Sequence, residues 1–95
     1  MYAVAGTWRL DPSMRELQAQ ALKGIVGGVR QSPGFVRGFW SRDVDEPDVS
    51  VTYVVFETRE QALAFRSAVE ANAPAQADSG VSRTGLRLAE VQADA

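Results

Sequence analysis

The side chains in this sequence with the clearest chemical potential are aromatic rather than acid–base. Trp8, Tyr53 and Phe65 lie in segments that could meet as a pocket wall, with a flat aromatic ligand stacked between them. Gly6 precedes Trp8 by two residues, on the same face of an extended segment, where a missing side chain would leave room above a sheet. Packed as ordinary core, the same three aromatic residues would need no ligand. Arg37 sits among apolar neighbours. If buried, it would need a carboxylate, for which Glu57 and Glu90 are candidates, or a ligand anion. Asn72 could donate to a substrate carbonyl, or could simply end a helix just before Pro74. Trp40, in Gly38-Phe39-Trp40, is a candidate anchor for an association surface, because large aromatic side chains dominate interface energetics.

The 95 residues contain no cysteine and no histidine. Disulfides, thiolate nucleophiles, cysteine–zinc sites, histidine-held haem and a Ser-His-Asp triad are thereby excluded. No metal site and no cofactor are expected. Asp43, Asp45, Glu46 and Asp48 crowd one turn but lack the glycine pivot and closing glutamate of a calcium loop, so they read as a solvated turn. Gly24-Ile25-Val26-Gly27-Gly28 lacks the Gly-Lys-Ser/Thr ending of a phosphate loop and lies inside a helical pattern; it reads as a close helix-to-sheet approach or a kink. Ten basic against twelve acidic residues give a net charge of −2, which disfavours general nucleic-acid or membrane binding. Arg37-Gly38-Phe39-Trp40 resembles an RNA-recognition signature, but on the second strand rather than the third. No basic leader with an apolar stretch is present and no run approaches the ~20 apolar residues of a spanning helix, so a cytoplasmic protein is expected.

The elements that must position these residues follow from periodicity. Residues 2–10 alternate, with Tyr2, Val4, Gly6 and Trp8 on one face, and predict a strand. Asp11-Pro12 suits a helix start: aspartate caps, and proline lacks an N–H that would be unpaired there anyway. Met14, Leu17, Ala21, Ile25 and Val29 make one apolar stripe, and the helix should run to about Gln31, before Pro33-Gly34 stops it. Phe35–Asp43 and Val49–Phe56 predict a strand pair joined by the acidic turn. Thr58 and Gln61 form a capping box for a second helix, with Ala62, Phe65 and Val69 inward and an end near Asn72. Residues 75–82 predict a loop, and Arg83–Val91 a last strand.

The order β-α-β-β-α-β is that of an α+β, ferredoxin-like fold in one domain, residues 1–95: a four-stranded antiparallel sheet with both helices on one face. Such a sheet should be polar on its open face. Here both faces are apolar. Phe35 and Phe39 should lie opposite Val36 and Trp40; Val51, Tyr53 and Val55 lie opposite Val54 and Phe56. Exposing the second face would leave a large apolar patch, so a homodimer with two sheets face to face is expected.

Leu10-Asp11-Pro12-Ser13, Ser32-Pro33-Gly34-Phe35-Val36-Arg37-Gly38-Phe39 and Val54-Val55-Phe56-Glu57-Thr58-Arg59-Glu60-Gln61-Ala62 resemble the antibiotic biosynthesis monooxygenase family over nearly the whole chain. The resemblance implies a dimeric α/β barrel, a pocket between sheet and helices for a small aromatic or apolar molecule, and in some members cofactor-independent oxidation of aromatic polyketides. The alternative is a non-catalytic dimeric ligand-binding or assembly module. The haem-degrading branch of the family uses an Asn on the first strand, a Trp on the second helix and a histidine. Gly6, a position near Phe65 and the absence of histidine depart from that pattern.

Overall fold

The computed structural model describes residues 1–95. Its elements are β1 (Tyr2–Leu10), a 3-10 turn (Pro12–Met14), α1 (Arg15–Val29), β2 (Phe35–Arg42), β3 (Val49–Phe56), α2 (Arg59–Ala71), α3 (Ala73–Asp78) and β4 (Val81–Glu90). The strands form one antiparallel sheet in the order β2-β3-β1-β4, the α+β ferredoxin-like arrangement. No helix is long and apolar enough to cross a membrane.

The register fixes which residues share a face. Val4 pairs with Val54, Gly6 with Thr52 and Trp8 with Ser50, and these face the helices. Near one end of the sheet that face is closed by a core of Val4, Val54 and Phe56 from the strands, Val29 from α1 and Ala62 from α2. Phe56 packs edge-on against Phe35, with ring centres 6.4 Å apart, and against Phe65 of α2 at 5.0 Å. Toward the other end, α1 stands off. It buries only Val29; Leu17 and Ile25 of its apolar stripe stay exposed, as does Leu22 beside it. Of the predicted stripe, Ala21, Ile25 and Val29 face inward, whereas Leu17 lies away from the sheet and Leu22 takes its place on the inward side.

Three local expectations are corrected. Residues 75–82 are not a loop: α3 restarts at Ala73 with Pro74 in its first turn, where proline costs no hydrogen bond, and β4 begins at Val81. Strict alternation placed Phe35 with Phe39, opposite Trp40. A register shift between Phe35 and Arg37 inserts a bulge, so Phe35 and Trp40 both pack on the helix-side core while Phe39 faces away. Gly24, Gly27 and Gly28 meet no sheet: a Cβ built at any of them finds open space. They weaken α1 without a packing return.

The caps lie where expected. Asp11 Oδ1 accepts from the Ser13 amide and hydroxyl, which holds its carboxyl below the usual aspartate range. The Thr58 hydroxyl accepts from the Gln61 amide while the Gln61 carboxamide oxygen accepts from the Thr58 amide. Gly34 explains the Pro-Gly motif. Its φ is +77°, and its open α-carbon lies directly under the Gln61 carboxamide of that capping box. Gly34→Ala is therefore expected to lose about 1–3 kcal/mol in urea unfolding, through both left-handed strain and a displaced cap. Gly24→Ala, in open space on α1, is expected to gain about 0.5–1 kcal/mol.

Candidate functional site

A cavity of about 450 Å3 fills the gap between α1 and the sheet, within the roughly 300–1,000 Å3 range of small-molecule sites. Ala21, Leu22 and Ile25 of α1 form one wall; Phe65 and Val69 of α2 and the α3 region form another. Its floor is the sheet: Val4 and Trp8 of β1, Thr52 and Val54 of β3, Trp40 of β2 and Leu86 of β4. A shallower depression near Ser13 and Leu17 lies away from this floor.

The floor depends on two Gly-X-Trp repeats, on the two strands that flank β3. A Cβ on Gly6 would lie 2.7 Å from Trp8 Nε1 and 2.8 Å from Thr52 Oγ1; a Cβ on Gly38 would lie 2.8 Å from the Trp40 ring. Each indole therefore folds back over the glycine two residues before it. Gly6 does leave space above the sheet, as its sequence position suggested, but Trp8 takes that space, not a ligand. Trp8 is buried, and its indole N–H donates to the Thr52 hydroxyl at 3.0 Å. Thr52 pairs with Gly6 on one side and Trp40 on the other, so β3 carries a small polar residue between two flat rings.

The side chains singled out in the sequence divide cleanly. Trp8, Phe65 and Asn72 line the cavity, with Asn72 exposed at its rim. Tyr53 does not join them: it pairs with Phe39 and Ala5 on the opposite sheet face and is 39% exposed. Arg37 pairs with Val55 on that same outer face and is exposed, so the burial that would have demanded a partner is absent. The chain's one ion pair is Arg15–Asp48 at 2.7 Å, not a pair to Glu57 or Glu90. Trp40, expected at an association surface, faces the cavity instead because of the bulge.

Arg42 escaped the sequence reading. It follows Trp40 by two residues on the same strand face and is the one charged residue lining the cavity. The signal was present: once Trp40 is placed inward, strand periodicity brings Arg42 to the same side. Gln18 also lines the cavity, and its carboxamide nitrogen donates to the carbonyls of Asp11 and Ser79, tying α1 to the end of β1 and to the turn before β4. Asp43 Oδ1 accepts from the Asp45 and Glu46 amides, so that turn is ordered by its own carboxylate. No three carboxylates converge as a metal site.

The antibiotic biosynthesis monooxygenase profile matches residues 1–76. The chain belongs to that family. Among solved structures it is similar to Rv0793 of Mycobacterium tuberculosis, at 17% identity over 99% of this chain and 97% of that one, with a TM-score of 0.77. It is similar to SnoaB of Streptomyces nogalater, described as a cofactor-independent oxygenase, at 18% identity over 98% and 94%, TM-score 0.74. It is also similar to a monooxygenase of Streptomyces coelicolor in complex with the ligand Nanaomycin D, at 17% identity over 99% and 89%, TM-score 0.66. At these identities the structures agree in fold. Among curated proteins, no sequence matches.

Gly6→Ala is expected to lift the Trp8 indole off its glycine and break its bond to Thr52, because the added carbon cannot coexist with either atom. Loss of about 1–3 kcal/mol in stability, with an altered near-ultraviolet dichroism from tryptophan, is the expected result.

Proposed function

We propose that this member of the antibiotic biosynthesis monooxygenase family binds a planar aromatic molecule between α1 and the sheet, and oxidises it with O2 using electrons that the substrate itself supplies. The observation that carries this reading is the pair of indoles lining one largely apolar cavity. Flat rings on the two strands that flank β3 suit a fused aromatic system better than a chain or a sugar.

The cavity contains no aspartate, glutamate, histidine or cysteine that could act as a general base or nucleophile. The reaction best matched to such a site is one whose substrate ionises readily, such as a phenolic anthrone. Loss of a ring-activated proton to bulk water, before the substrate is enclosed, leaves an electron-rich carbanion. That anion adds to O2 by electron transfer and C–O bond formation, giving a hydroperoxide after protonation. Elimination of water then converts the original CH2 into C=O, so the four electrons O2 accepts all come from the substrate. The protein contributes orientation between Trp8 and Trp40, hydrogen bonds from Thr52 or Asn72 to the developing oxygen, and exclusion of water.

Association belongs to the same proposal. Phe39, Val51 and Tyr53 form a patch on the outer sheet face, 56, 42 and 39% exposed. We read this patch, not Trp40, as the contact between two copies of the chain, packed sheet to sheet as a dimeric α/β barrel. The cavity lies on the other side of the sheet, so dimerisation leaves it accessible.

Two measurements test the reading. Under air, a phenolic anthrone should quench the tryptophan fluorescence and be converted with one O2 consumed per molecule; Trp40→Ala should reduce turnover at least about tenfold, equivalent to about 1.4 kcal/mol. Binding without oxygen uptake would identify a binding module instead, and no binding to any fused aromatic compound would overturn the proposal. Sedimentation at micromolar concentration should give twice the mass of one chain, and Phe39→Asp should shift it toward one. A single-chain mass for the unmodified protein would refute the dimer.

A further inference from the structure

We infer that Arg42 makes the cavity selective for aromatic anions, so that its ligands are fused-ring carboxylates or similarly charged planar molecules. This inference rests on the aromatic-binding reading above and adds the charge of the ligand to it. The surroundings of Arg42 carry the argument. Arg42 pairs with Ser50, and Ser50 pairs with Trp8, which puts Arg42 at the end of the floor built from the two indoles. It lines the cavity, whereas no carboxylate does.

Its nearest acidic neighbours in sequence do not neutralise it. Asp48 is paired with Arg15, Asp43 is hydrogen-bonded to the backbone of its own turn, and no carboxylate oxygen lies within ion-pair distance of Arg42. Arg42 is thus an exposed, unpaired cation at a cleft whose other lining residues are all uncharged. A guanidinium presents a planar fork of donors that fits a carboxylate through two parallel hydrogen bonds. A flat ring seated on Trp8 and Trp40 with its carboxylate directed along β2 would satisfy both the rings and the charge.

The test uses two probes of nearly equal shape, 2-naphthoate and 2-naphthamide. The chain has two tryptophans and both line the cavity, so quenching of intrinsic fluorescence reports occupancy directly. The unmodified protein should bind 2-naphthoate roughly three- to tenfold more tightly than 2-naphthamide, the range of a solvent-accessible charge-assisted contact. Added salt should weaken only the naphthoate. Arg42→Gln should abolish the preference by weakening naphthoate far more than naphthamide, Arg42→Lys should retain part of it, and Arg37→Gln, on the outer face, should retain all of it. Equal affinities in the unmodified protein, or a preference that survives Arg42→Gln, would overturn the inference while leaving the aromatic site standing. Failure of both probes to bind would remove the aromatic-site reading and this inference with it.

Discussion

The cavity depends on two missing side chains. Gly6 and Gly38 let the indoles two residues later fold back along their own strands and lie against the sheet. Any Cβ at either position would push a ring upward into the space that separates sheet from α1. Because the rings lie down, the Trp8 indole N–H reaches Thr52 on the next strand, and a polar tip that would be costly to bury is satisfied within the floor itself. The cavity is thus bounded below by packed aromatic surface in which the Trp8 N–H is satisfied, while the Thr52 hydroxyl keeps its own proton to donate.

A second constraint acts from above. α1 has the apolar stripe of a core helix but buries only Val29 on a closed core. Its position is held at its start by polar ties: Gln18 to the carbonyls of Asp11 and Ser79, and Arg15 to Asp48. Those bonds are short and directional, and they set the height of the helix above the sheet independently of hydrophobic collapse. The three unpacked glycines of α1 leave it with less intrinsic helical preference than its length suggests. A wall held at its start rather than packed along its length is compatible with ligand entry.

The two faces of the sheet divide the labour. Core, cavity and both indoles share the helix side, while Phe39, Val51 and Tyr53 gather on the other. The bulge in β2 produces this separation, because without it Phe35 and Trp40 could not both turn toward the helices. One extra residue in one strand decides whether Phe35 and Trp40 share the helix side or lie on opposite faces.

Strand and helix periods, proline and glycine stops and the two caps suffice to derive the order of the four strands and two main helices, and the α+β ferredoxin-like fold, from residue types alone, because those signals act over a few residues; α3 is not among the elements they predict. Trp8, Phe65 and Asn72, proposed together from the sequence, do line one cavity. The misassignment of Tyr53, Arg37 and Trp40, and the oversight of Arg42, have different origins. Tyr53 and Arg37 failed because a residue's chemistry does not say which side of a sheet it faces. Trp40 and Arg42 required the bulge, which arises from the pairing of β2 with β3 across the acidic turn. The stand-off of α1 and the space it encloses came from contacts such as Gln18 to Ser79, 61 residues apart. Local sequence encodes direction along the chain; the distance between layers, and hence whether an apolar face becomes core or cavity, is decided only when distant segments meet.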